Sequence, residues 1–219
     1  MGPEGSNLKL SENDQDFWVL DKMHYRKDGF FVDIGAGDGV TGSNTFILEK
    51  FYNWFGICVD PNPTWLKSLC GTRDTIISDL AIWNESGKIL DFNYLKQQRG
   101  EFFGWNFRAG ISSCVGPTGI EFDKHKVFSI TLTDLLDLHN APKVIDYISM
   151  DAEGSESKIL EGFDFKKYDV KLFSVEYNDA EERSKINHIL TKNGYTATDI
   201  DDSGEDRYIS SAKMQNVHY

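Results

Sequence analysis

Gly29-Phe30-Phe31-Val32-Asp33-Ile34-Gly35-Ala36-Gly37-Asp38-Gly39 is the stretch on which the reading of this chain turns. Its first half is a short apolar run of the kind buried on both faces of a parallel sheet. Its second half packs glycines into a tight turn, where the backbone bends sharply and approaches a ligand closely. A helix is predicted just beyond, over Asn44 to Phe51, so its N-terminus points at the turn and favours a carboxylate or phosphate. Strand, glycine turn and helix together form the opening unit of a nucleotide-binding α/β fold.

The rest of the chain repeats the alternation. A helix near Asp14 to Met23 precedes this strand. Trp54 to Asp60 reads as a second strand, broken by Pro61-Asn62-Pro63, after which Thr64 is placed to cap a short helix. Thr75 to Ser78 reads as a third strand, with Asp79-Leu80-Ala81-Ile82 at its carboxyl end. Runs near Gly87 to Phe92 and Lys126 to Ile130 flank a long loop, Lys96 to Gly116, of the length typical of lids and substrate-binding segments. Thr133 is placed to cap a helix through Leu138. Ile145 to Asp151 and Val170 to Glu176 read as the fourth and fifth core strands, with a helix beginning at Ser155 between them. A helix over Ala180 to Lys192 ends at Asn193-Gly194. Strand-like runs at Tyr195 to Ile200 and Arg207 to Ser211, with a turn at Asp202-Ser203-Gly204-Glu205, predict a closing hairpin. The fold expected is α/β, a doubly wound Rossmann-like sheet, mostly parallel with one antiparallel strand in that hairpin. Residues 1–7 are expected to be a leader and 8–219 a single domain.

Composition narrows the function. The 219 residues carry a formal net charge of -12, which repels nucleic acid or polyphosphate unless a local basic patch intervenes. The only such patch, Lys96, Arg99 and Arg108, is thin and reads as a solvated loop. A neutral or carbohydrate-like acceptor fits the charge better. No apolar run reaches the about 18 residues of a membrane span, and no signal-peptide pattern opens the chain. Cys58, Cys70 and Cys114 show no metal-ligand spacing. These features favour a cytoplasmic setting and leave the oligomeric state open.

The turn also chooses among cofactors. A nicotinamide fingerprint wants G-x-G-x-x-G, but the third glycine arrives one residue early and Val40 holds its place. No P-loop occurs. Asp33 and Asp38 would repel a pyrophosphate, whereas the ammonium and sulfonium of S-adenosylmethionine suit them. Asp60, at the end of the second strand, is placed to accept the ribose hydroxyls. Asp79 is placed to take the adenine amino group, with Leu80 or Ala81 over its face.

These residues resemble the FkbM family of S-adenosylmethionine-dependent methyltransferases. The resemblance rests on Gly29 to Gly39, Ser43 to Glu49, Gly56 to Pro63, Asp146 to Glu156 and Val175 to Asn178, in that order. Asp60 stands where the family commonly has glutamate, and Gln97 to Gly116 matches no part of the pattern. The resemblance implies a class I methyltransferase acting on a hydroxyl of a sugar, glycan or other small secondary metabolite. It implies a cofactor site of Asp33, Gly35, Ala36, Gly37, Asp38, Gly39, Ser43, Asn44, Asp60, Pro61, Asp79, Leu80 and Ala81. Two catalytic schemes suit a hydroxyl acceptor. In one, Asp151 or Glu153 is the general base. In the other, Asp151, Glu176 and Asn178 hold Mg2+, which acidifies the hydroxyl. Glu156 reads as charge compensation at a helix start, and His125 as a surface residue. The competing reading is a binding or interaction domain that keeps the fold without catalysis.

Overall fold

A computed structural model describes residues 10–94, 109–114, 122–198 and 204–211. The N-terminal leader, the basic trio Lys96, Arg99 and Arg108, most of the long loop, and the start of the C-terminal turn lie outside these residues.

The central sheet has seven strands in the order β10-β11-β9-β8-β1-β2-β3. They are β1 (Phe30–Ile34), β2 (Phe55–Val59), β3 (Ile76–Ser78), β8 (Val144–Met150), β9 (Asp169–Glu176), β10 (Tyr195–Thr198) and β11 (Glu205–Ser210). β1 lies between β2 and β8, parallel to both. β11 alone runs antiparallel between β9 and β10, which is the closing hairpin strand expected from the tail. This is a doubly wound, Rossmann-like sheet, mostly parallel with one antiparallel strand near its C-terminal edge.

Side-chain alternation explains the two covered faces. Val32, Ile34, Ile57, Val59, Ile148 and Met150 point to one side. There they meet α4 (Leu132–Leu138), α5 (Glu156–Glu161) and α6 (Ala180–Lys192) through residues such as Leu132, Leu135, Leu136, Ile159, Ile186 and Leu190. Phe31, Cys58, Tyr147 and Leu172 point to the other side. They meet α1 (Gln15–Lys22), α2 (Phe46–Tyr52) and α3 (Leu66–Thr72) through Val19, Leu20, Leu48 and Leu69. Burying each such side chain contributes about 1.5–3 kcal/mol, so the three fully buried leucines of α4 suffice to dock that short helix.

Two caps differ from expectation. α4 is capped by Thr131, whose Oγ1 accepts the Asp134 N–H at 3.0 Å. Thr133 instead accepts the Asp164 N–H at 2.8 Å and ties α4 to the next loop. α3 begins after Trp65, not Thr64; the Thr64 N–H donates to Asn62 within the preceding turn. Both threonines satisfy the same local pattern, and only the path of the chain selects between them.

A second sheet, of order β4-β7-β5-β6, comprises β4 (Ala81–Ile82), β5 (Ile89–Tyr94), β6 (Gly110–Ile111) and β7 (Asp123–Ile130). The two runs around the long loop are its main pair, β5 and β7, which are antiparallel. Ala81 and Ile82 pair with β7 rather than extending β3. Among the described residues no helix is long and apolar enough to cross a membrane.

Candidate functional site

The carboxyl ends of β1, β2 and β8 meet the small sheet in an open cleft of about 730 Å³, its solvent mouth included. Ile34, Gly35 and Gly37 form its floor. Val59 through Asn62 and Trp65 form one side, and Asp151, Ala152, Glu153 and Ser155 the other. Ala81, Ile82, Phe92, Ala109 and Ile111 supply an apolar wall from the small sheet.

Each floor glycine has its own reason. Gly35 has φ +84°, and a Cβ there would lie 1.8 Å from the Asp151 carbonyl oxygen. The Asp151 N–H in turn donates to the Ile34 carbonyl at 3.0 Å, so β1 and β8 stay paired to the edge of the cleft. Gly37 has φ +56° with open space where a Cβ would be, so it is glycine for its conformation and for close approach by a ligand.

Asp60 is buried at the cleft edge. Its Oδ2 accepts the Gly37 N–H and its Oδ1 the Asn62 N–H, both at 2.8 Å. Each oxygen keeps a further lone pair for a ligand hydroxyl. Desolvation pushes its pKa up to about 7, against the two amides that favour the anion.

Asp151 remains open to solvent at the cleft mouth. Protein encloses it on enough sides that desolvation leads the causes holding its pKa well above the carboxylate range. Glu176, to which its carboxyl hydrogen-bonds, adds to this, as do the charges of Glu12 and Glu205. Glu153 has φ +56°, a strained conformation for a residue other than glycine. The loop holds that strain because Glu156 accepts the Ala152 and Gly154 N–H groups at 2.7 and 3.0 Å. Burial raises Glu156 to about 8. Its place at the start of α5 and its grip on the loop make it a structural carboxyl.

Of the residues expected at the cofactor site, Gly35, Gly37, Asp60, Pro61 and Ala81 line the cleft, as do Asp151 and Glu153. The others are placed elsewhere. Asp33 points to the α1–α3 face, accepts the Thr45 hydroxyl at 2.5 Å and lies 3.8 Å from Arg73. Ala36 is buried in that core. Asp38 takes the Val40 and Thr41 N–H groups within its own turn. Gly39 packs against Thr72 and Arg73. Ser43 accepts the Thr45 and Phe46 N–H groups at the start of α2. Asn44 donates to Ser149 at 2.9 Å. Asp79 is exposed and Leu80 half-buried, neither on the cleft wall. His125 is exposed on β7.

The set drawn for magnesium is Asp151, Glu176 and Asn178. Asp151 and Glu176 are hydrogen-bonded to each other, and the Asn178 amide nitrogen packs against Gly154. Among the described residues no three His, Cys, Asp or Glu side chains gather in a metal-holding group. Trp65, Phe92 and Ile111 were not foreseen. Trp65 follows the proline turn closely enough to have been suspected, whereas Phe92 and Ile111 reach the cleft only through the pairing of the small sheet.

The methyltransferase FkbM domain profile matches residues 33–197. No functionally curated protein matches significantly. Among solved structures, the precorrin-6y C5,15-methyltransferase of Geobacter metallireducens GS-15 is 12% identical with a TM-score of 0.47, covering 93% of this chain and 92% of its own. The N-terminal domain of human METTL16 in complex with SAH is 12% identical with a TM-score of 0.43, and the match covers 88% of this chain and 66% of that one. A methyltransferase from Pyrococcus furiosus is 14% identical with a TM-score of 0.40, covering 88% and 78%. At this distance the likenesses carry nothing about substrate. The family match spans well over half of the sequence and begins at the β1 residue Asp33, and the chain therefore belongs to the methyltransferase FkbM domain family.

Proposed function

We propose that this chain is an S-adenosylmethionine-dependent O-methyltransferase acting on a hydroxyl of a sugar, glycan or other small metabolite. The observation that carries the reading is a cleft shared by Gly35, Gly37, Asp60, Asp151 and Glu153. S-adenosylmethionine would supply a methyl group made electrophilic by a positive sulfur. Gly37 and Asp60 suit its nucleoside part, the first by leaving space over the backbone and the second by offering acceptors to hydroxyl groups. Trp65 and the apolar wall of Ala81, Ile82, Phe92, Ala109 and Ile111 suit a planar base and exclude water.

Asp151 is the group for the acceptor proton. Its raised pKa makes it a stronger base than an ordinary carboxylate once it is ionised. Glu153 stands beside it as the second carboxylate of the acceptor wall. An anionic acceptor would be disfavoured beside Glu153 and the Asp151–Glu176 pair, and a neutral polyol would find acceptors for its hydroxyls.

Titration calorimetry with S-adenosylhomocysteine is the first test, with heat expected for the native chain and lost in Gly37→Val and Asp60→Ala. Asp151→Asn is expected to keep that binding while losing turnover by at least about a hundredfold, the scale of a general base. Turnover is read by mass spectrometry against a panel of sugars and glycans. A native chain that binds no S-adenosylhomocysteine would favour the non-catalytic interaction domain.

A further inference from the structure

The loop after β1 contains four glycines at positive φ, Gly35, Gly37, Gly39 and Gly42. Such a segment has no intrinsic preference for one path. Its path is imposed from the far end of α3.

The Arg73 side chain is fully buried. Its Nη1 donates to the Gly39 carbonyl at 3.2 Å and to Ser43 Oγ at 3.3 Å, and its Nη2 to Thr45 Oγ1 at 2.8 Å. Its Nε donates to Glu49 Oε2 at 2.5 Å, and Asp33 Oδ2 lies 3.8 Å away. The guanidinium is 5.5 Å from the Phe31 ring centre and 5.9 Å from that of Phe46. Thr72 Oγ1 lies 3.1 Å from the Asp38 carbonyl, sharing one proton with the Ser68 carbonyl at 3.0 Å. A Cβ on Gly39 would come within 2.7 Å of Thr72 Oγ1 and 2.9 Å of Arg73 Cγ, so loop and clamp touch without a gap. At the other end of the same segment, Asp60 holds the Gly37 N–H and Trp65 lines the cleft. The stretch from Asp60 to Arg73 therefore holds the loop at Gly37 and again from Gly39 to Thr45.

We propose that Arg73 is a positioning residue for the methyl donor: without lining the cleft, it fixes the path of residues 37–45 and so sets donor affinity. The proposal rests on the S-adenosylmethionine reading. The planar fork of arginine reaches the Gly39 carbonyl, two hydroxyls and a carboxylate together, which a lysine ammonium cannot. A buried ion pair is a weak stabiliser by itself. Stability alone therefore gives little reason to thread a guanidinium through the loop.

The test compares S-adenosylhomocysteine affinity with thermal melting for the native chain, Arg73→Lys, Gly39→Ala and Lys50→Ala. Arg73→Lys keeps the buried charge but loses donors to the loop, and its dissociation constant should rise about tenfold or more. Gly39→Ala, which pushes the clamp away, should do the same and decides the matter if Arg73→Lys does not fold. Lys50 pairs with Glu49 at 2.8 Å and Asp74 at 2.6 Å on the outer side of the network; its removal should lower the melting temperature and leave affinity unchanged. Native affinity in folded Arg73→Lys and Gly39→Ala overturns the proposal. So does a loss of affinity in Lys50→Ala matching that in Arg73→Lys, because the effect is then one of stability. If the native chain itself binds no S-adenosylhomocysteine, the functional reading fails and the clamp with it; if only the variants behave like the native chain, the functional reading survives.

Discussion

Asp60 and Glu153 show how single residues here are tuned away from their relaxed states. The Asp60 carboxyl is raised to about 7 by burial, so near neutrality the free protein holds it partly protonated. Ligand hydroxyls donate to the ionised form, so binding should release a fraction of a proton, and affinity should tighten from pH 6 to pH 8. Calorimetry of S-adenosylhomocysteine in two buffers of different ionisation heat reads this directly; equal heats at pH 6.5 would remove Asp60 from the contact. Glu153 is held at φ +56°. Asparagine tolerates that region better, so Glu153→Asn should leave stability intact or raise it by up to about 1 kcal/mol. The same change should lower turnover if the carboxylate faces the acceptor. A melt and an activity assay on one variant separate the two effects.

At the scale of elements, helix ends and loop anchors matter more than helix propensity. The described helices facing the cleft are short, and their placement depends on a few bonds. Thr131→Ala should cost about 1 kcal/mol through loss of the α4 cap, measurable as a shift in urea midpoint. The alternation of β1 was readable, since Val32 and Ile34 had to share one face and Phe31 and Asp33 the other. The sequence did not say which face lay against α2 and α3, because the whole run is apolar except for Asp33. Asp33 therefore looked like a cofactor carboxylate and is instead part of the Arg73 network. Arg73 left no trace in any motif: the groups its side chain hydrogen-bonds lie 24 to 34 positions away along the chain, and nothing local marks it.

For the whole molecule, the unusual feature is how many carboxyls fold into raised pKa values. Asp16, Asp33, Asp60, Asp151 and Glu156 are all raised, with burial the first cause in each. Their unfolded counterparts ionise near pH 4. Between that value and about 7 for Asp60, or about 8 for Glu156, the folded chain binds more protons than the unfolded one. Stability of the donor-free protein is then greatest near pH 4 and declines toward pH 8. Glu49 is lowered; its contribution disappears below about pH 4, in a separate window. The net charge of -12 adds self-repulsion in the same direction as the pH rises. Urea midpoints at pH 5, 6.5 and 8 check the slope, and a rising midpoint would contradict it.

The order and kind of the core elements, the glycine turn and the family were legible from the chain alone. Apolar runs, glycine and proline breaks and capping residues act over a few neighbouring positions, and the sequence displays those directly. The small sheet, the apolar wall of Phe92 and Ile111, the pairing of Asp151 with Glu176, and the hold of Arg73 on the loop were decided by tertiary structure. Each depends on groups distant in sequence meeting at a set distance and angle, and no local pattern encodes such a meeting.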